Sequence, residues 1–378
     1  MRIAVIGGGP AGSWASIQLA KRGHSVTLID SLAPWEKPCG GGITTKALDR
    51  FGIFKSDLPR VDIEKITVFF GDSDLVSFAP QSALSVVSRQ ELGKYLLSEV
   101  NASGVRLVSD RVTKIQERAS GWDITGRETE HQADFLVGAD GATSMVRKAV
   151  GRPLESDDLC VTLGYFIPGT FPAHMKIFFV PSFEGYIWSF PRPDHISYGL
   201  ITRSGPAWNA RAKTLLANFI EADLGSLVMD QATFYSAPVP CLGTKSWKNN
   251  VISGNRWALV GDAAGFVDPI TGEGIYSAFR SAEILAETIE HPGGYARTIA
   301  NDIGRELARA SEMYKTFYNG RFLGGDFRRR TIQLARRSRT VRTVLGNLIA
   351  GNQSYVTLKK KLFYSIPSVG WDLVASRK

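Results

Sequence analysis

Ile3-Ala4-Val5-Ile6-Gly7-Gly8-Gly9-Pro10-Ala11-Gly12 opens the chain, and its reading decides the fold. Four apolar residues without polar alternation describe a short strand buried on both faces, and glycines end it. A helix follows from Pro10 and Ala11 to Arg22, with Gly23 as its stop, and Val26 to Ile29 is a second strand closed by Asp30. Gly7-x-Gly9-x-x-Gly12 between strand and helix, with Asp30 18 positions further on, is the dinucleotide fingerprint in its proper context. Gly7 allows the sharp turn, Gly9 removes a Cβ that would block a pyrophosphate, and Gly12 lets helix and strand approach. Pro10 suits a first helical position because its absent N–H would be unpaired there. Free amides and the positive helix end then face the phosphates, and Asp30 can accept from a ribose hydroxyl.

The remaining chain bounds the alternatives. Its 378 residues suffice for two or three domains, and 44% hydrophobic with 21% charged residues is ordinary for a soluble protein. Three separated cysteines (Cys39, Cys160, Cys241) form no C-x-x-C pair, and no histidine pair has metal spacing, so neither a disulfide framework nor a metal site is expected. The opening apolar run is too short for a signal peptide, and no window reaches the roughly 18 apolar residues of a membrane span. A cytoplasmic protein is expected. The net charge of +9 is concentrated late: Arg297 to Lys378 carries 17 Lys and Arg against 5 Asp and Glu.

Further along, Ile66–Phe70, Leu84–Val87, Val105–Val108, Val112–Ile115 and Phe135–Val137 read as strands, and 89–100 as a helix. Residues 160 to 240 carry short aromatic strands divided by Pro and Gly. Trp257–Val260 then resumes the first pattern, leading to Gly261-Asp262-Ala263-Ala264, Asp268-Pro269 and Thr271-Gly272-Glu273-Gly274-Ile275 before another helix.

These later motifs resemble those of flavoprotein hydroxylases of the p-hydroxybenzoate hydroxylase type and of their relatives, the geranylgeranyl reductases. The resemblance implies FAD as cofactor. It assigns Asp262, beside Gly261, to the ribityl and pyrophosphate, and Gly272, Gly274 and Ile275 to the flavin ring. There the amides of a helix start would stabilise negative charge near N1 of a reduced flavin. Gly138-Ala139-Asp140-Gly141, with Ser144 and Arg147, matches the superfamily's Asp-Gly motif; Arg89 matches its FAD-contacting arginine, and Val112 a backbone position near the adenine.

Two more segments narrow the family. Pro38-Cys39-Gly40-Gly41-Gly42-Ile43 is similar to the Pro-Cys-Gly-Gly-Gly segment of geranylgeranyl reductases, which runs beside the flavin and so adds Cys39, Gly40 and Gly42 to the cofactor set. Gly185-Tyr186-Ile187-Trp188-Ser189-Phe190-Pro191-Arg192 is similar to their Tyr-x-Trp-x-Phe-Pro signature. Strand alternation puts Tyr186, Trp188 and Phe190 on one face, either as the lining for an apolar substrate or as domain core.

The expected fold class is α/β. A Rossmann-type FAD-binding domain is assembled from 1–60, 86–152 and 251–295, a β-rich substrate domain from 61–85 and 153–250, and a basic C-terminal helical region from 296–378. The function implied is reduction of carbon–carbon double bonds of a prenyl group by hydride from reduced FAD, with Cys39 and Tyr186 as candidate proton donors. The alternative is an FAD-dependent monooxygenase or halogenase acting on an aromatic or apolar small molecule. NADPH, NADH and ferredoxin are all open as electron donors. The substrate expected is an apolar molecule, such as a prenylated lipid or pigment. The arginines from Arg328 to Arg342, beside Leu334, Val341, Leu345 and Leu348, read either as a helix lying on an anionic membrane face or as a solvated helix. Nucleic-acid binding is not expected, as no recognised module surrounds the basic run.

Overall fold

The computed structural model describes residues 1–375 apart from 56, 182, 204 and 205. The chain divides into two compact units, each drawn from three separated segments.

The first unit comprises Met1–Lys37, Arg89–Leu159 and Pro238–Ala308. Its five-stranded parallel sheet runs in the order Trp257–Leu259, Phe135–Gly138, Arg2–Ile6, Ser25–Ile29, Arg106–Val108. The order reverses at Arg2–Ile6, so the glycine loop leaves the sheet at a topological switch point, where open α/β sheets bind their ligands. Ala4, Val5, Leu136, Val137 and Ala258 are almost wholly buried, as a sheet covered on both faces requires. The helices Pro10–Ala20 and Ile275–Thr288 pack together through Trp14 and Phe279, whose rings meet edge to face at 5.3 Å. A small antiparallel sheet of Lys114–Arg118, Gly121–Thr125 and Glu130–Ala133 is tied in by the Trp122 indole, which donates to the Arg256 carbonyl at 2.8 Å.

Val112 lies just outside a strand, which starts only at Lys114. The reason is Asp110, whose carboxylate draws the chain into a tight loop by accepting from the amides of Arg111, Arg127, Glu128 and Thr129 and from the Thr129 hydroxyl. With that many donors its carboxyl is lowered to about 2, led by the Thr129 hydroxyl bond.

The second unit comprises Pro38–Ser88, Cys160–Ala237 and Arg309–Lys378. Its seven-stranded sheet has the order Thr233–Pro240, Leu159–Pro168, His195–Arg203, Gly185–Pro191, His174–Phe179, Lys65–Phe70, Asp74–Phe78. The only parallel pair described in it joins His174–Phe179 to Lys65–Phe70. One face packs Leu163, Ile187 and Leu200 against Ala212, Leu216 and Ile220 of a long helix, Pro206–Leu224. The aromatic strands around it mask that helix in the sequence, although its buried residues recur at every fourth position as an amphipathic helix demands.

The other face packs Ile66, Val68, Val76, Met175 and Ile177 against Ile332 and Ala335, with Val341, Leu345 and Ile349 alongside. These last residues belong to the arginine-rich helices Phe327–Arg337 and Arg339–Ile349. Their apolar side is therefore taken up by the unit's own core. Arg328 is itself buried, pairing with Asp326 at 2.8 Å and donating to the Phe183 carbonyl at 2.7 Å. No helix among the described residues is long and apolar enough to cross a membrane, and no group of three or more acidic, histidine or cysteine side chains could hold a metal ion.

Candidate active site

In the first unit, residues far apart in sequence gather around the glycine loop. Gly7 has a φ of +105°, and a Cβ there would stand 2.4 Å from the Ala139 carbonyl oxygen and 2.9 Å from the Asp140 Cα. At Gly12 a Cβ would fall 1.9 Å from the Gly7 carbonyl oxygen. Gly261, with φ +56°, has the same relation to Ala11, at 2.8 Å from its Cβ, and Gly274 lies against the Asp262 carboxylate. The fingerprint, the Asp-Gly turn, the Gly-Asp turn and the helix start at Ile275 thus form one cluster. A Cβ on Gly9, by contrast, would meet nothing within 4 Å, so this glycine faces open space.

The charged groups of this cluster have defined partners. Asp30 accepts from the Gly8 amide at 2.6 Å and from the Leu32 and Ala33 amides at 2.7 Å each. A carboxylate accepts about four hydrogen bonds, so capacity for a ribose hydroxyl remains. The Asp140 carboxylate is occupied in capping the short helix Met145–Ala149, accepting from the Ser144 hydroxyl at 2.5 Å and the Met145 amide at 2.6 Å. Burial raises its pKa, and those bonds oppose the rise. Behind it, Arg147 is buried and donates to the Ala263 carbonyl and to Asn250; burial lowers its guanidinium to about 10.

Two residues that the sequence reading passed over complete the cluster. Lys37 Nζ lies 2.7 Å from Asp262 Oδ2. Burial would raise Asp262, but Lys37, through charge and hydrogen bond, and Arg89, through charge, hold its carboxyl below the usual value. Glu36 accepts from the amides of Arg89 and Gln90 at 2.9 and 3.2 Å, capping the helix Arg89–Ala102 from 53 positions away. That cap fixes Arg89, whose buried Nε has no hydrogen-bond partner. A buried cation with an unmatched donor, an open space over Gly9 and a helix start at Ile275 are what an anionic dinucleotide requires, and FAD fits this set. Lys37 adjoins the Pro-Cys-Gly-Gly-Gly segment, and that adjacency was the available signal.

In the second unit, the Cys39 segment lies on the aromatic strand. A Cβ on Gly40 would come within 2.6 Å of the Phe190 ring and 3.4 Å of the Trp188 indole nitrogen. Gly42 faces the same Phe190 ring. Trp188 is buried, with Tyr186 and Phe190 half-buried on either side at ring separations of 6.0 and 6.4 Å. Its indole lies so close to Gly199 that a Cβ there would be 2.0 Å from the ring, so glycine is required.

The segment is held from beneath by polar groups. The Cys39 carbonyl accepts from Arg192 Nη2 at 2.5 Å and from the Ser197 hydroxyl at 3.0 Å. Ser197 also meets the Tyr235 hydroxyl at 2.9 Å and the Trp188 indole N–H at 3.3 Å. Arg192 is 1% exposed, bonds His195 through Nη1 and stands over the Phe166 ring at 5.1 Å. Arg192 closes the Tyr-x-Trp-x-Phe-Pro motif itself. The Cys39 sulfur, half-buried, accepts from the Gly41 amide at 3.3 Å.

Known proteins resemble this chain in sequence and in fold. The family model described as FAD binding domain matches residues 1–292. The chain is 30% identical over 303 residues to geranylgeranyl diphosphate reductase of Rhodobacter capsulatus, covering 75% of this chain and 73% of that one. It is 26% identical over 309 residues to digeranylgeranylglycerophospholipid reductase of Methanococcus vannielii, covering 75% of each. Among solved structures, a geranylgeranyl bacteriochlorophyll reductase-like protein from Thermoplasma acidophilum shares the fold. The TM-score is 0.76 at 22% identity, covering 97% of this chain and 99% of the other.

The protein is an FAD-dependent oxidoreductase with a p-hydroxybenzoate hydroxylase-like fold. Within that class, the chain belongs to the geranylgeranyl reductase family.

Proposed function

We propose that the protein reduces carbon–carbon double bonds of a prenyl group of the geranylgeranyl type. The observation that carries this reading is the seating of the Cys39–Gly42 loop on Trp188 and Phe190. Both segments resemble motifs of geranylgeranyl reductases, and an aromatic wall suits an apolar chain. Relatives named for geranylgeranyl substrates support the same substrate class.

In this reading Gly7, Gly9, Pro10, Ala11 and Gly12 hold the pyrophosphate of FAD and Asp30 its ribose. Arg89, Val112, Asp140, Gly261, Asp262, Gly272, Gly274 and Ile275 complete the holding set, with Cys39, Gly40 and Gly42 joining it by resemblance. Bound and reduced, FAD supplies a hydride to one alkene carbon. The chain's part is to align the alkene, exclude water and deliver a proton to the other carbon, because an isolated alkene is a poor hydride acceptor. Cys39 Sγ and Tyr186 Oη are the proposed donors. The sum is one hydride and one proton added across one double bond.

The test is anaerobic. Protein reduced with dithionite is mixed with geranylgeranyl diphosphate or a geranylgeranylated lipid, and the flavin's visible band is followed. Reoxidation that depends on the prenyl compound, with a product heavier by two hydrogens, is expected. A flavin that stays reduced until oxygen is admitted, then hydroxylates or halogenates an aromatic compound, would overturn the reading in favour of a monooxygenase or halogenase.

A further inference from the structure

The C-terminal helix Tyr355–Ala375 carries an apolar face that the protein leaves uncovered. Its inner side is fixed by buried Tyr355 and Leu358 and, at the far end, by Asp372. The Asp372 carboxylate accepts from the Ser338 hydroxyl at 2.6 Å and the Thr340 amide at 3.1 Å. Opposite lie Val356, Phe363, Tyr364, Pro367, Trp371 and Val374, all exposed. At 3.6 residues per turn these six fall within an arc of about 100° that also contains Lys360, and exposed Leu362 and Ile366 extend the apolar surface around the middle of the helix. Phe363 is 69% and Trp371 77% exposed, and the large apolar side chains left in solvent are concentrated in this helix. Scattered exposed apolar residues are normal, whereas a continuous strip marks an interaction surface.

Charge decides which surface. Lys359, Lys360 and Lys361 are exposed in the first half of the same helix, with Lys360 5.9 Å from the Tyr364 ring centre. The helix's one carboxylate, Asp372, is engaged on the inner side. Aromatic and aliphatic side chains beside lysines, with no acid among them, match the boundary between anionic headgroups and acyl chains. We infer that the outer face of Tyr355–Ala375 docks the protein on the surface of a bilayer containing anionic lipid. The inference deepens the proposed function and rests on its lipid-substrate reading: an enzyme that takes a membrane-borne prenyl chain has to work at that surface.

The experiment uses the full-length holoprotein, without substrate or reductant. The protein is sedimented with phosphatidylcholine vesicles and with vesicles in which about a third of the lipid is phosphatidylglycerol. Preferential binding to the anionic vesicles is expected, weakened at least about ten-fold both in Phe363→Ser/Trp371→Ser and in Lys359→Glu/Lys360→Glu/Lys361→Glu. Thermal unfolding confirms that each variant is folded, and the charge variant leaves the apolar face intact. Absence of binding, or unchanged binding in both variants, overturns the inference. So does a concentration-dependent dimer that the Phe363→Ser/Trp371→Ser variant abolishes, since a second copy would then be the occupant. Because the vesicles hold no prenyl lipid, failure here leaves the reduction chemistry untouched. A protein that binds vesicles but is not reoxidised by geranylgeranyl diphosphate counts against the chemistry alone.

Discussion

Arg192 Nη2 donates a 2.5 Å hydrogen bond to the carbonyl oxygen of Cys39, a residue 153 positions earlier in the chain. A wholly buried guanidinium thereby holds the loop that rests on the aromatic strand, and Ser197 shares the same acceptor. Arg192→Ala is expected to cost on the order of 2–4 kcal/mol, because it removes a charged donor and leaves a buried carbonyl under-satisfied. Ser197→Ala should cost about 1 kcal/mol. Since both act on one oxygen, the double variant should deviate from additivity by at least about 0.5 kcal/mol in urea unfolding. Strict additivity would mean that the loop is held by something else.

The glycines of the fingerprint should separate folding from cofactor binding. Gly12→Ala puts a Cβ 1.9 Å from a backbone oxygen, so the protein should be poorly folded or insoluble. Gly9→Ala meets no protein atom, so the apoprotein should melt within a few degrees of wild type. Its affinity for FAD should nevertheless fall at least about ten-fold, because the Cβ occupies the space meant for the pyrophosphate. Titration followed by flavin fluorescence measures this, and undiminished affinity would place the phosphates elsewhere.

Lys37→Met should alter the pH dependence of stability. Burial pushes Asp262 up while Lys37 and Arg89 hold it low, and the carboxylate as found contributes stability above its unfolded pKa, lost as pH falls through the lowered one. Without Lys37 the buried charge is poorly compensated. The variant should be less stable at pH 7, on the order of 1 kcal/mol, with the gap closing below about pH 4. Denaturant melts of the apoproteins at several pH values test it; a gap independent of pH would rule out the charge pair as the cause.

Asp110 offers the same sign without a cation. Its carboxyl is lowered to about 2, chiefly by the Thr129 hydroxyl bond, so its contribution is complete above the usual carboxylate pKa and lost as pH falls through about 2. Asp110→Asn keeps the shape but turns an acceptor oxygen into a donor that faces backbone amides. A lower melting temperature at neutral pH is expected, with the deficit shrinking towards pH 2, and exchange protection at Arg127 to Thr129 should fall as the loop opens.

Local signals carried the fold, and non-local ones did not. Gly7, Gly9 and Gly12 announced a dinucleotide turn because their spacing between a strand and a helix is local, although only Gly12 answers a steric demand from a near neighbour, Gly7. The aromatic alternation of Tyr186, Trp188 and Phe190 was equally local. Glu36 capping a helix that begins at Arg89, Lys37 meeting Asp262, and Arg192 reaching Cys39 all depend on chain crossings that leave no periodic trace. The arginine-rich helices show what local spacing leaves open. Their spacing read either as a helix on an anionic membrane face or as a solvated helix; Val341 and Leu345 pack against the sheet's core, and an exposed apolar face lies one helix further on.

The parallel sheet of the first unit has a consequence for how the protein comes into being. Its central strand, Arg2–Ile6, is made well before its partners: the edge strand Trp257–Leu259 and the helix Ile275–Thr288 that packs on Pro10–Ala20 follow some 250 residues later. During translation the helix Pro10–Ala20 must wait, with one face bare, until some 250 further residues have been made. A premature stop anywhere before that helix would therefore release a chain unable to close its own cofactor site, and such a fragment is material for chaperones and proteases rather than a smaller enzyme.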